Sequence, residues 1–473
     1  MAEEGTAKTS PPSRALKSYL NLSFSSASSQ LFSIQHTNKT GVASSFLQHR
    51  ITAFFLFAFP ISILLGPRVS LPYFPQGEFR FQDFLVVGAI IFFLSSDLSR
   101  GRNERLSGSS ALLWLLVFSA SLFAAVAFAR MDFSVSTFYT LRLLEMPVIS
   151  LIIFRSLESA GTKGLRVMLG SIALGVTANL SWVAVQVATG NKPPFWSFPP
   201  GDIPQYGPSL VGEAGAFPAG QTLVILLAGA VSFHLSSSEQ KARYIIFPVF
   251  LVAGIYGSIL LTQSRMSIAV GSLILVVWLF VCLRRLGRRQ AYLAHSLAIT
   301  GFLVIALSAT QLSRVRINLQ SIVTGEAFEF RVSEIYIPTL QLLQEDFFLG
   351  LSPGSGRDAR GGDEFHSLYI AILSDFGYLG LIIFCIGTIL FMRHTLTQLV
   401  NSTISMVRLF AMWSALVAFN LLAAGTLQSS LMSATPTHLG AVIIATYFWL
   451  ARSVGEPTPP IRQKVTDRRL DSA

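Results

Sequence analysis

The residues best suited to chemistry in this chain lie in one long polar segment, 312–377, between apolar runs. The segment contains Arg331, Arg357, Arg360 and His366, together with several glycines. Guanidinium groups bind phosphate oxygens through paired hydrogen bonds, and a neutral imidazole can act as a general base. Long loops without regular structure are uncommon unless they carry function. We therefore expect a catalytic site in this segment.

A further arginine, Arg265, lies outside the long segment, in Thr262-Gln263-Ser264-Arg265, where one predicted span ends and the next begins. The turn between the two spans can hardly be longer than these residues, so packed helices would hold the guanidinium at the water interface. One interpretation is an anchor whose charged head reaches water while its stem lies along apolar surface. The other is a phosphate ligand that acts with the arginines of the long segment.

Arg331 lies at the start of a stretch, 330–346, whose apolar residues recur near helical spacing. This pattern predicts an amphipathic helix on the outer surface or over a cavity. Glu334 follows Arg331 by three residues, so an ion pair between the two is the alternative to a ligand role. The apolar positions are Phe330, Ile335, Ile337, Leu340, Leu343 and Phe347.

His366 stands just before an apolar segment and just after Asp363 and Glu364. Near a helix start, the helix dipole disfavours the imidazolium, whereas the two carboxylates favour it. A poised, neutral imidazole is the form that a general base needs. The alternative is a structural histidine that only makes hydrogen bonds.

Two charges, Arg142 and Glu145, fall inside a predicted span, about two turns from its outer end. Charges inside a membrane are costly and by default suggest function, but at this spacing the two could also neutralise each other. The outer loop 190–217, which includes Glu213, could form the ceiling of a substrate cavity. The supporting residues that we predict for the site are Arg142, Glu145, Glu213 and Glu334.

Membrane helices must position these residues. The chain is 52% hydrophobic and 12% charged, whereas about 25% of the residues of a soluble domain are charged. Apolar runs near the ~20 residues needed to cross a bilayer recur along it. We predict an all-α protein with about twelve transmembrane helices and a large outer loop that carries amphipathic helices. The predicted spans are 44–66, 82–96, 109–129, 134–154, 167–189, 218–236, 244–263, 267–283, 293–311, 378–392, 409–425 and 436–452.

Lysine and arginine are concentrated in alternate loops, which predicts the orientation of the chain. If the N-terminus is cytoplasmic, each inside loop is basic, as the positive-inside rule expects, while Arg68 and Arg80 are exceptions outside. The inside loops are 97–108, 155–166, 237–243, 284–292 and 393–408. The predicted organisation is a flexible cytoplasmic tail (1–43), nine spans (44–311), a periplasmic loop (312–377), three spans (378–453) and a second tail (454–473).

The net charge of +11 is explained by cytoplasmic loops and tails that face anionic lipid, so we expect no nucleic-acid partner. Cys282 and Cys385 both fall within predicted spans, so no disulfide framework is expected. No cleavable signal peptide is visible, and the first span would serve as the insertion signal. Acidic residues of the long segment are few and not at ligand spacing, so neither a metal nor another cofactor is expected.

Four short motifs lie at the ends of predicted spans or in the long polar segment. They are Gly215-Ala216-Phe217-Pro218 entering a span, Thr262-Gln263-Ser264-Arg265 after a span, Arg331 followed by Leu349-Gly350, and His366 with Gly377 and Gly380. Together they resemble the O-antigen ligase and O-antigen (Wzy-type) polymerase superfamily, over about residues 210–395. The sequence departs from that pattern at Val211-Gly212-Glu213, where many members have a basic residue.

The resemblance implies a glycosyltransferase of the GT-C type in the bacterial inner membrane. Such an enzyme takes an undecaprenyl-diphosphate-linked glycan as donor and works on the periplasmic side without a metal or a nucleotide sugar. By position, Arg265 and Arg331 would hold the donor diphosphate, and His366 would help to activate the acceptor hydroxyl. Attack of that hydroxyl on the anomeric carbon would invert its configuration.

The identity of the acceptor is open at this point, and two functions other than glycosyl transfer are open as well. The acceptor would be a second lipid-linked repeat for a polymerase, or lipid A core or another terminal acceptor for a ligase. Membrane lipids and polysaccharide-export or chain-length proteins are the other expected partners. A transporter or flippase would instead show repeated halves and midplane charges, neither of which is apparent. A non-catalytic scaffold of an envelope assembly machine would leave the loop arginines replaceable.

Overall fold

The computed structural model describes residues 42–70, 78–98, 133–189, 210–211, 216–236, 242–285, 329, 332–344, 347–351, 367–426 and 434–455. The regular elements in this part of the chain are helices and one antiparallel pair of three-residue strands, in which Arg68 pairs with Arg80. The elements are α1 (Val42–Leu65), β1 (Arg68–Ser70), β2 (Glu78–Arg80), α2 (Phe81–Leu98), α3 (Phe133–Thr189), α4 (Ala216–Ser236), α5 (Ala242–Thr262), α6 (Arg265–Arg285), a π turn (Val332–Tyr336), α7 (Ile337–Leu342), α8 (Leu368–Asn401), α9 (Ser405–Gly425) and α10 (Ala434–Gly455).

Five of the described helical stretches are long and apolar enough to cross a membrane, and the protein is therefore a helical multi-pass membrane protein. They are Glu145–Thr189, Phe217–Ser236, Arg265–Cys282, Leu368–Asn401 and Ser405–Gly425. Shorter apolar stretches occur at His49–Leu65, Phe81–Ser96 and Pro248–Thr262. The predicted spans 109–129 and 293–311 lie outside the described residues, so the number twelve stays a prediction.

The helix α3 reverses direction at Gly161, where φ is 59° and ψ is −148°. On one side of this break Glu158 contacts Arg452 of α10, and on the other side Met168 contacts Thr446, six residues back along α10. The chain therefore reverses within the predicted inside loop 155–166, but that loop was predicted too long, because helical structure continues up to the glycine from both sides. Glycine adopts positive φ without steric cost, so one residue achieves the reversal.

The helix α8 also contains a break, at Gly377, where φ is 63°. The rings of Tyr369 and Phe384 lie 6.4 Å apart, whereas fifteen residues of straight helix would separate them by about 22 Å. The nine residues Leu368–Phe376 therefore form a separate short helix that folds back against the span, which begins after the glycine as predicted. The predicted inside loop 393–408 was too long, because α8 continues to Asn401 and α9 begins at Ser405.

The helix α4 lies at the centre of the bundle, while α6 and α8 lie at its surface. Of the apolar span of α4, 83% is buried, against 28% for α6 and 33% for α8. The ring of Trp413 on α9 packs against Gly229 of α4 and donates its indole N–H to the carbonyl of Ile225 at 2.8 Å. The glycine permits this close approach of two helices.

The predicted amphipathic helix at 330–346 is present only in part. It consists of a π turn, Val332–Tyr336, followed by the short helix α7. The buried side chains are Ile335, Thr339 and Leu343, at intervals of four residues.

Two apolar positions of the predicted face, Ile337 and Leu340, are instead 47% and 42% exposed. The π turn contains one residue more than an α-helical turn, so it rotates the positions that follow it. Exposed apolar side chains also occur at Leu342 and over Phe347–Leu349. This segment, which the sequence predicts on the outer side, thus presents an apolar surface suited to contact with a membrane.

Candidate functional site

The turn that carries Arg265 is short and conformationally constrained, as predicted. Helix α5 ends at Thr262 and α6 begins at Arg265, with only Gln263 and Ser264 between them. Gln263 has φ 57°, the one positive φ of a non-glycine residue in the described ranges. A left-handed conformation costs a non-glycine residue roughly 1–2 kcal/mol. Such strain persists where the surrounding structure fixes it and is common at functional sites.

The start of α4 holds this turn in place. A side chain at Gly220 would meet the side chains of Ser264 and Ser267, whose hydroxyl oxygens are 2.9 Å apart. The structure therefore brings two of the four sequence motifs together, since Phe217 lies one turn before Gly220. Arg265 itself is exposed at the end of the two packed helices.

Two buried amides lie at a similar depth below the predicted outer ends of neighbouring helices. Gln221 is the sixth residue of α4, and Asn420 lies five residues before the end of α9. Both side chains are 0% exposed, and neither their nitrogen nor their oxygen atoms have a hydrogen-bond partner among the described residues. A buried polar group without a hydrogen bond lowers the free energy of unfolding by about 1–3 kcal/mol. A ligand or a water molecule is therefore the expected partner of each of these amides.

The break at Gly377 forms a docking site for the segment 347–351. The amides of Tyr378 and Leu379 donate to the carbonyls of Phe347 and Phe348 at 3.2 and 3.3 Å, and the amide of Leu351 donates to Ser374 at 2.8 Å. These bonds fix the outer segment just before residues 352–366.

The other end of residues 352–366 is fixed as well. Ser367 is buried, caps the short helix Leu368–Phe376 through the amide of Ile370, and precedes Leu368, which packs near Gly425. Both ends of the stretch that carries Arg357, Arg360 and His366 are thus attached to the same helix, α8.

Gly377→Ala should release the outer segment, because a methyl group there would meet the carbonyl of Phe348 and φ is 63°. We expect faster proteolysis between residues 330 and 366 and a loss of activity of at least about 10-fold, as for a misplaced positioning element. Limited proteolysis of purified protein measures the first effect. Gly387→Ala is the control, because nothing lies within 4 Å of a methyl group at Gly387, which is in the same helix. Equal protease resistance of both variants would contradict the docking role.

Three predicted site residues, Arg331, His366 and Glu213, lie outside the described residues. Arg142 falls on α3, one turn before Glu145, and its side chain is outside the described set as well. Glu334 is exposed on the π turn. The structure therefore describes the side chains of Arg265, Glu145 and Glu334 from the predicted site.

Glu145 has a partner that the sequence analysis missed. Its Oε2 lies 2.7 Å from Nε2 of His438, near the start of α10. Asp83 at the start of α2 belongs to the same cluster, since one ligand atom from each of the three side chains lies within 4.8 Å of the others. An ionisable residue inside the predicted span 436–452 was the available signal for His438.

Chemically, the predicted outer side of the bundle offers an exposed guanidinium on a short turn and buried amides near the same ends of the helices. A guanidinium suits an anionic oxygen of a phosphate, and amides can both donate to and accept from hydroxyl groups. No family model matches the chain, and no curated protein matches it either.

Proposed function

We propose that the protein is a membrane glycosyltransferase of the O-antigen ligase or polymerase type. It transfers a glycan from an undecaprenyl-diphosphate-linked donor to an acceptor hydroxyl on the periplasmic side of the bacterial inner membrane. The reaction inverts the anomeric carbon and needs no metal. The same proposal includes a fold of the GT-C type. It also includes a second lipid-linked repeat or lipid A core as acceptor, and chain-length or polysaccharide-export proteins as partners.

The observation that carries the proposal is the exposed Arg265 on a strained turn packed against α4. The left-handed residue Gln263 ends α5 and fixes the backbone of the turn two positions before Arg265. A guanidinium on a backbone that is fixed in this way can meet the two oxygens of a diphosphate as a fork, and it opposes the charge that grows on the leaving group. Arg331 takes the second diphosphate contact in this proposal.

His366 takes the acceptor proton in the proposed reaction. It directly precedes Ser367, the cap of the helix Leu368–Phe376, and this helix lies against the end of α9 through the bond from Tyr369 Oη to the carbonyl of Leu422 at 3.0 Å. Asn420 is two residues before Leu422 on α9. This arrangement supports a glycan site between the outer ends of α4, α8 and α9.

Asn420→Leu should lower glycan transfer at least about 10-fold without lowering the midpoint of thermal unfolding. The substitution removes an amide that has no partner among the described residues, so stability should stay equal or rise. A glycan that uses this amide would lose a hydrogen bond. Thermal unfolding in detergent and a transfer assay on the same preparation measure both quantities.

Asn179→Leu is the matched control for Asn420→Leu. Asn179 is equally buried, but its Nδ2 donates to the carbonyls of Leu64 and Gly175 at 3.2 and 2.9 Å, and its Oδ1 accepts from Val211 at 2.8 Å. This variant should therefore unfold at a lower temperature. If Asn420→Leu were destabilised to the same degree, Asn420 would be a structural residue and not a glycan ligand.

A transporter of a lipid-linked polysaccharide is the second candidate. The polar groups buried inside the bundle favour it, because transporters bind their substrates between membrane helices. Proteoliposomes containing a fluorescent lipid-linked glycan distinguish the two functions. A transferase yields a product of altered glycan length, whereas a transporter changes only the leaflet in which the fluorophore is accessible to a quencher.

A further inference from the structure

A cluster of three side chains with metal-ligand chemistry joins the starts of two helices to the first half of a third. Asp83 is the third residue of α2, Glu145 lies on the first half of α3, and His438 is the fifth residue of α10. One ligand atom from each lies within 4.8 Å of the other two. These residues are far apart in sequence, so the fold itself assembles the cluster.

The histidine of this cluster is completely buried, while the side chain of Glu145 is 18% exposed. The ring stacks near Phe59 at a centroid distance of 6.4 Å, and its Nδ1 has no hydrogen-bond partner among the described residues. Gln82, next to Asp83, is 1% exposed, and neither atom of its amide has a partner in the described part of the chain. Buried polar atoms of this kind indicate a site at which a ligand or water is held.

The distances are close to those of a metal site but not equal to them. Ligand atoms about 2.0–2.1 Å from one tetrahedral ion lie roughly 3.3 Å from each other. On metal binding, the distance of 2.7 Å between His438 Nε2 and Glu145 Oε2 would lengthen slightly. The largest distance between the ligand atoms of the three side chains, which is at most 4.8 Å, would shorten. Rotation of the Asp83 and Glu145 side chains is sufficient for such changes.

We propose that Asp83, Glu145 and His438 bind one divalent transition-metal ion of the zinc type. One imidazole with two carboxylates suits Zn²⁺, Co²⁺ or Mn²⁺ better than Mg²⁺ or Ca²⁺, which prefer oxygen ligands alone. The ion connects the starts of α2 and α10 to the first half of α3 and takes no part in the transfer reaction. The site is independent of the proposed function.

A network of ion pairs without a metal is the competing explanation. The guanidinium of Arg80 is buried in the same region and bonds Oγ1 of Thr435 at the start of α10, and the amide of Arg80 donates to Asp83 Oδ2 at 2.8 Å. Arginine could supply positive charge to the carboxylates in place of an ion. Metal binding distinguishes the two explanations directly.

The test is a titration of the purified, chelator-treated full-length protein with Zn²⁺ alone, followed by calorimetry, and with Co²⁺ followed by its visible absorption. We expect one equivalent to bind and the midpoint of thermal unfolding to rise. Glu145→Gln and His438→Gln should each weaken binding at least about 100-fold, since each removes a direct ligand and even the outer-shell partners of metal ligands contribute 10–100-fold. His234→Gln is the control and should not weaken metal binding. His234 is also a half-buried histidine with polar contacts, because its Nδ1 accepts from Trp278 at 3.0 Å and lies 3.8 Å from Sγ of Cys282.

Failure of the wild-type protein to bind one equivalent overturns the proposal, whatever the variants do. Equal binding by wild type and Glu145→Gln also overturns it, because the ion would then be adventitious. Loss of binding in His234→Gln would move the site to the His234–Cys282 pair. Glycan transfer is measured in a separate assay with excess chelator. Whether transfer occurs in that assay tests only the proposed glycosyltransferase function and not the metal site.

Discussion

Arg265→Ala should reduce glycan transfer by roughly 10²–10³-fold while the protein still inserts and accumulates. Removing one preorganised donor to developing charge costs about this much in other enzymes. Arg265 is exposed at the first residue of α6, so its truncation leaves the packing of Gly220 against Ser264 and Ser267 intact. The measurement is transfer by purified protein at equal concentration, with accumulation checked in membranes.

Two further variants sharpen this prediction. Arg265→Lys should restore little activity, because an ammonium group cannot form two parallel bonds to phosphate oxygens. Arg452→Ala is the matched control, because Arg452 is an exposed arginine at the opposite ends of the helices, paired with Glu158 at 3.2 Å. Near-normal transfer by Arg265→Ala would return Arg265 to the role of a helix anchor.

His366→Ala should lower turnover by roughly 10²–10⁴-fold, the usual contribution of a positioned general base. Binding of the lipid-linked donor should change little, because the arginines supply that contact. The rate of the wild type should fall in acid as the imidazole becomes protonated, and this acid limb should be absent from the variant. The measurement is transfer in nanodiscs at several pH values, with donor binding followed in parallel.

His394→Gln is the control for the His366 variant. His394 lies in the C-terminal half of α8, where its Nδ1 is 2.6 Å from Tyr447 Oη, so its substitution should leave the acid limb of the pH profile unchanged. A His366→Ala variant that lost donor binding in proportion to turnover would make His366 a phosphate ligand or a structural residue.

The sequence predicted the helices that have clear polar boundaries. The predicted spans 218–236, 244–263 and 267–283 correspond within two residues to α4, α5 and α6. The reversal at Gly161 falls within the predicted inside loop 155–166. The reversal at Gly377 was not predicted as such, because the residues before it are largely apolar and hydropathy does not respond to one positive φ. The π turn was missed for a related reason, since it changes the helical period inside an otherwise regular pattern.

The candidate site was predictable only where its residues are close in sequence. The short turn before Arg265 followed from the small number of residues between two spans, and the structure confirms it. The contact of Glu145 with His438 spans 293 residues, so no local pattern could indicate it. Arg80 did appear in the sequence as an unexpected basic residue outside, and its burial against Thr435 now explains why it is there.

The most direct test of the central claim is the release of undecaprenyl diphosphate by purified protein given a defined lipid-linked glycan and an acceptor. We predict one molecule of free undecaprenyl diphosphate for each new glycosidic bond, in the presence of excess chelator, and almost none with Arg265→Ala. Formation of no free carrier by the wild type, with the donor recovered intact in either leaflet, would contradict the assignment as a glycosyltransferase.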